Sequence, residues 1–83
     1  MDHDQLDREL IAAHERQDGT ALVRLYGLAG DRAEAAGDID AACFYLTYAF
    51  VFALEAGAPE APALNRRLAA RGRAHDLEFP EWA

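Results

Sequence analysis

Eighty-three residues make one small domain, and a chain of that length hides only roughly 60 to 65% of its surface on folding, so its core is thin. Apolar residues make up 52% and there are three Pro and six Gly, a composition that favours a folded chain over a linker or a disordered segment. Fifteen Asp and Glu against eight basic residues give a net charge of -7, which disfavours nucleic acid as a partner, because phosphate backbones are bound by neutralising them with cations.

The first segment, about residues 4–17, sets Leu6, Leu10, Ile11 and Ala13 at helical spacing behind the acids Asp2, Asp4, Asp7 and Glu9. Acids there complement the positive end of the helix dipole. Gly19 is the expected stop, with Asp18 or Thr20 capping the second helix. The second segment, about residues 20–36, carries an apolar stripe of Leu22, Leu25, Tyr26, Ala29 and Ala33. Two Gly inside it, Gly27 and Gly30, each cost on the order of 1 kcal/mol against Ala and so are expected to mark close approaches of another backbone. Gly37 then stops the helix and Asp38 caps the next.

The third segment, residues 39–56, is apolar all round. Ala42, Leu46, Ala49 and Ala53 form a small-residue stripe, and Phe44, Tyr45, Tyr48, Phe50, Val51 and Phe52 cover the remainder. Such a helix belongs either in the middle of a bundle or in an interface. Its apolar run, residues 41–54, is expected to be too short to cross a bilayer. After Gly57 and Pro59 a fourth helix of about residues 61–71 is expected, with Pro62 in its first turn and a narrow stripe of Ala61, Leu64 and Leu68. The expected organisation is one helical domain over residues 1–73 and an extended acidic, aromatic tail over residues 74–83. The fold class is all-α: about four helices in antiparallel hairpins, as a repeat-like array or a small bundle.

The spacing of Tyr26, Ala29, Gly30, Ala33, Ala42, Leu46, Ala49 and Leu54 resembles a single degenerate tetratricopeptide repeat over about residues 23–56. Gly30, Ala42 and Ala49 match in kind, and Tyr26 supplies an aromatic. The resemblance implies that Gly30, Ala42 and Ala49 let paired helices pack closely, and that the module binds peptides or helices. Ala29, Ala33, Leu46 and Leu54 depart from the pattern. The Lys and Asn with which some members of that family hold a peptide carboxylate have no counterpart, since Lys is absent and Asn65 is the sole Asn.

Candidate chemistry is sparse. Ser is absent, and neither Thr20 nor Thr47 sits in a nucleophile motif with a His and a carboxylate. The pairs His3 with Asp7 and His14 with Asp18 are too few ligands for a metal, so neither metal nor cofactor is expected. Arg66, Arg67, Arg71 and Arg73 can grip an anion or decorate a solvated face and offset their own helix dipole, and the second is the expectation. Cys43 reads as a small buried hydrophobe, with Thr47 bonded back to the carbonyl one turn earlier. A lone Cys and an amino-terminal segment without basic and apolar regions point to the cytoplasm.

The leading expectation is therefore a non-enzymatic interaction module, an adaptor or small accessory subunit, that self-associates or clasps a helical or peptide partner, with no nucleic acid and no membrane. The expected contact residues are Phe44, Tyr45, Tyr48, Phe52, Phe79 and Trp82. The alternatives are a ligand-binding or catalytic domain using Tyr26, Tyr48 and His14, and an acidic inhibitor or antidote of a basic partner.

Overall fold

The structure, a computed structural model, describes residues 1–74 and 77. Four helices follow one another: α1 (His3–Glu15), α2 (Gly19–Ala35), α3 (Ile39–Ala56) and α4 (Ala61–Ala70). The described residues contain no strand, and the chain is all-α. The expected Phe79 and Trp82 contacts lie outside the described residues.

Capping decides where each helix begins. Asp2, Asp18 and Asp38 each accept a hydrogen bond from the backbone N–H three residues on, at Gln5, Ala21 and Ala41. That satisfies one otherwise orphaned donor per helix, typically worth about 1 kcal/mol. Helix α4 has no such cap and relies on Pro62 in its first turn, where a missing N–H leaves no bond unmade.

All four helices stop in the same way. Gln17, Gly37, Gly57 and Gly72 take positive φ, and the next N–H reaches back to a carbonyl five residues earlier, from Asp18 to Ala13, Asp38 to Ala33, Ala58 to Ala53 and Arg73 to Leu68. The first two turns are near copies, since Asp18 (φ −89, ψ 86) and Asp38 (φ −90, ψ 82) share one backbone conformation. Gly19 is accordingly not the stop that the sequence pattern favours. Asp18 must be extended to cap α2, so the left-handed position falls one residue earlier, on Gln17 (φ 53), and Gly19 becomes the first residue of α2.

Helix α2 packs most extensively on α3, while α1 lies on α2 and α4 on α3. No Cα of α1 comes within 8 Å of one in α3, nor one of α2 near α4, so the helices form an open zigzag with a flattened outline of 35 × 30 × 14 Å. Two apolar clusters result. One joins Leu6 and Ala13 of α1 to Leu22, Leu25 and Ala29 of α2. The other joins Val23 to Cys43, Leu46, Ala49 and Ala53 of α3 and to Ala61, Leu64 and Leu68 of α4. Tyr26 and Phe52 pack against both clusters and tie them together.

The α2–α3 contact is tight at Gly30, where a Cβ would sit 2.8 Å from both Cγ and Cδ2 of Leu46 and 3.4 Å from the Ala42 carbonyl oxygen. Ala42 and Ala49 are buried on the same side of α3. Gly27 differs from expectation, because a Cβ there would meet nothing within 4 Å. It faces an open groove of about 770 Å³ between α2 and α4, beside Val23, Leu28, Ala63 and Leu64.

Two substitutions should therefore be stabilising. Gly27→Ala adds helix propensity without a clash and should raise unfolding free energy by about 0.5–1 kcal/mol. Gln17→Gly relieves the left-handed strain, partly offset by unfolded-state entropy, for a gain of about 0.5 kcal/mol. Urea unfolding of each variant reads these values, and a loss of stability in Gly27→Ala would show that the α2–α4 groove is closed.

Candidate interaction face of the third helix

Helix α3 buries its small side and exposes its large one. Ala42, Cys43, Leu46, Ala49 and Ala53 are its buried residues, and not one of its five aromatic rings is among them. A thin, open array of Leu and Ala has no interior deep enough for rings of 150–250 Å². The outer stripe holds Phe44 at 56% exposure, Tyr48 at 41%, Val51 at 43% and Leu54 at 49%. These positions recur at helical spacing and so form one continuous apolar surface rather than scattered exposed residues. By length and mean hydropathy (1.4 over 18 residues) α3 is long and apolar enough to cross a membrane, although Ala42, Leu46, Ala49 and Ala53 are packed against its neighbours.

Beside this stripe Tyr45 and Phe52 join Tyr26 in a half-buried aromatic shelf that Tyr48 also meets, while Phe50 packs on the cluster shared by α3 and α4. Tyr26 of α2 stacks on Tyr48 (5.2 Å between centroids) and on Phe52 (5.9 Å, 10° between planes), and it lies 6.4 Å from Tyr45. Phe44 meets Tyr45 and Tyr48 edge to face at 5.5 and 5.0 Å. His14 of α1 closes the shelf, with its ring 5.7 Å from both Tyr26 and Phe52 and its Nε2 2.8 Å from the Tyr26 hydroxyl. Burial first, then the neighbouring Tyr48 and Tyr45 phenols, push the Tyr26 hydroxyl above its ordinary value of 10.0. Tyr26 is therefore neutral at physiological pH and free to give or take the hydrogen bond with His14.

The expected contact residues thus separate by position. Phe44 and Tyr48 stand exposed, whereas Tyr45 and Phe52 are half-buried against the cluster shared by α1 and α2. Residues Tyr26, Tyr48 and His14, weighed as a ligand pocket, do come together, but as an open shelf. His14 does not join Asp18, which caps α2 and lies 3.5 Å from Arg16. His3 and Asp7 stand 3.9 Å apart. Among the described residues no three His, Cys, Asp or Glu side chains gather as a metal site.

The Arg run serves the fold rather than a solvated face alone. Arg67 reaches Asp31 (2.8 Å) and Glu34 (3.3 Å) of α2, and Arg71 reaches Glu34 (3.2 Å), so the pair straps α4 across the groove to α2. Exposed pairs of this kind contribute about 0–1 kcal/mol each. Arg73 donates to Asp40 at the start of α3 (2.6 Å), and that hydrogen bond raises its guanidinium further above its ordinary value. Thr47 donates to the Cys43 carbonyl at 2.7 Å, and Cys43 is buried.

Sequence reasoning missed Asn65. It is 1% exposed, and its Oδ1 accepts the Leu77 N–H at 2.7 Å, which pins the chain after α4 back onto that helix. The signal was present, since Asn65 lies four residues after Ala61 on the buried stripe of α4, where a polar side chain needs a partner.

Phe52→Ala unties the two clusters and should cost about 2–4 kcal/mol, while Phe44→Ser, at an exposed ring, should change stability by under about 0.5 kcal/mol in dilute solution. Thermal unfolding followed by circular dichroism separates the two, and equal losses would mean that Phe44 is core. No protein-family model, no curated protein and no solved structure matches this chain.

Proposed function

We propose that this chain is a non-enzymatic protein-interaction module, an adaptor or small accessory subunit, whose contact surface is the outer side of α3. The observation that carries the reading is the unbroken row of Phe44, Tyr48, Val51 and Leu54 left exposed on a helix whose small-residue side is already packed. Contiguous apolar surface bounded by charged residues is the mark of a protein contact site, and aromatic side chains supply much of the energy at such sites. Asp40 and Glu55 bound the row at its two ends.

The tetratricopeptide-like reading of α2 and α3 supports the same proposal. Repeat units of that kind cannot bury their apolar faces alone and rely on a neighbour, whether another repeat or a bound helix. The close approach of Gly30 to Leu46 and Ala42 is in keeping with such a hairpin.

The test is site-specific photo-cross-linking in the cells that make the protein. A photoreactive phenylalanine analogue in place of Phe44 should give discrete protein adducts, either with this chain or with another. The same analogue at Ala63, exposed on α4 and lining the groove between α2 and α4, should give none. An absence of adducts at position 44, or equal labelling at position 63, would contradict the proposal.

A further inference from the structure

Resting on that reading, we infer that the occupant of the α3 face is a second copy of this chain, packed antiparallel about a two-fold axis between Thr47 and Tyr48, with Arg73 of each copy bridging its own Asp40 to Glu55 of the other. The exposed residues of α3 are Asp40, Phe44, Thr47, Tyr48, Val51, Leu54, Glu55 and the terminal Ala56. Apart from Leu54 and Ala56 they fall into pairs equidistant from the point between residues 47 and 48: Asp40 with Glu55, Phe44 with Val51, and Thr47 with Tyr48. Reversing the helix therefore maps these six exposed positions onto one another. Phe44 of one copy meets Val51 of the other at two symmetric places, Tyr48 lies beside Thr47 and its symmetry mate at the axis, and Leu54 falls level with Ala41, so the same surface serves both copies, as an isologous interface requires.

Charge is the second ground. Antiparallel pairing would by itself bring Asp40 of one copy against Glu55 of the other, two carboxylates together. Arg73 stands at that end. It holds Asp40 at 2.6 Å, is 45% exposed, and lines a shallow cleft of about 510 Å³ with Cys43, Phe44, Thr47 and Tyr48, on the same side as the stripe. A guanidinium carries five N–H donors in a fixed fork, so one carboxylate does not exhaust it. Two such bridges, one at each end, leave the rings between them enclosed. The match is specific to this chain, because it needs a carboxylate fifteen residues along from the Arg-bound one, on the same helical face, which α3 itself provides.

The interface is small, two helices with four large apolar side chains apiece, and falls toward the lower end of stable protein contacts. Sedimentation equilibrium of the full chain should show a monomer–dimer equilibrium with a dissociation constant of roughly 10 μM. Val51→Glu places a charge opposite Phe44 and should weaken it by at least about tenfold with helicity unchanged, and Glu55→Gln should weaken it by about threefold. Register is read in a Cys43→Ala background by mixing Asp40→Cys and Glu55→Cys chains with a short bifunctional thiol reagent. The mixture should link, and neither chain alone should, since like positions lie roughly 22 Å apart along the antiparallel helices. A chain monomeric at several hundred micromolar, a dimer indifferent to Val51→Glu, or Asp40→Cys linking to itself would each overturn the inference. A monomer that still yields adducts with another protein at position 44 would sink the dimer and leave the interaction module standing.

Discussion

The structure depends on how closely α2 lies against α3, and that distance is set where Gly30 faces Leu46. A hydrogen is all that fits between the α2 backbone and Leu46. Because the residues α3 buries are small apart from Leu46, namely Ala42, Cys43, Ala49 and Ala53, the two helices can approach closely. Close packing at that seam gives dispersion contact over many atoms, which a chain too short for a deep core cannot obtain by wrapping large side chains.

The same choice explains the surface. A helix with an apolar residue at nearly every position that buries its smallest residues must turn its largest ones elsewhere. Phe52 leans onto Tyr26 and His14 and with Tyr26 becomes the tie between two separate clusters, while Tyr45 packs on the cluster shared by α1 and α2. Phe44, beyond them, is left to solvent or to another molecule, and Tyr48 stacks one face on Tyr26 while remaining 41% exposed. Fold and interaction face are thus two sides of one helix: the seam that stabilises the monomer is what leaves the stripe open.

Much of this was legible in the sequence, for identifiable reasons. The bounds of α3 are set by Asp38 and Gly57, whose roles as N-cap and C-cap depend on local backbone chemistry alone. Gly30 was readable because a helix interior tolerates Gly at a close contact. Gly27 looked identical in sequence and is not, since whether an α2 position faces α3 or the α2–α4 groove is set by tertiary packing. The aromatic surplus on α3 was plain, but its division into shelf and exposed stripe depends on which side α2 takes. Asn65 was overlooked because its partner, the Leu77 amide, lies twelve residues away across a turn that the helical pattern does not describe.

The most direct test of the seam is a thermodynamic cycle between Gly30 and Leu46, read by urea unfolding at low protein concentration. Gly30→Ala alone should destabilise by about 1–2 kcal/mol, the overpacking outweighing the gain in helix propensity. Introduced into Leu46→Ala, where the obstructing side chain is gone, the same change should instead stabilise by about 0.5–1 kcal/mol. A reversal of sign is the result this account predicts. Equal effects of Gly30→Ala in both backgrounds would show that α2 does not rest on Leu46, and would contradict it.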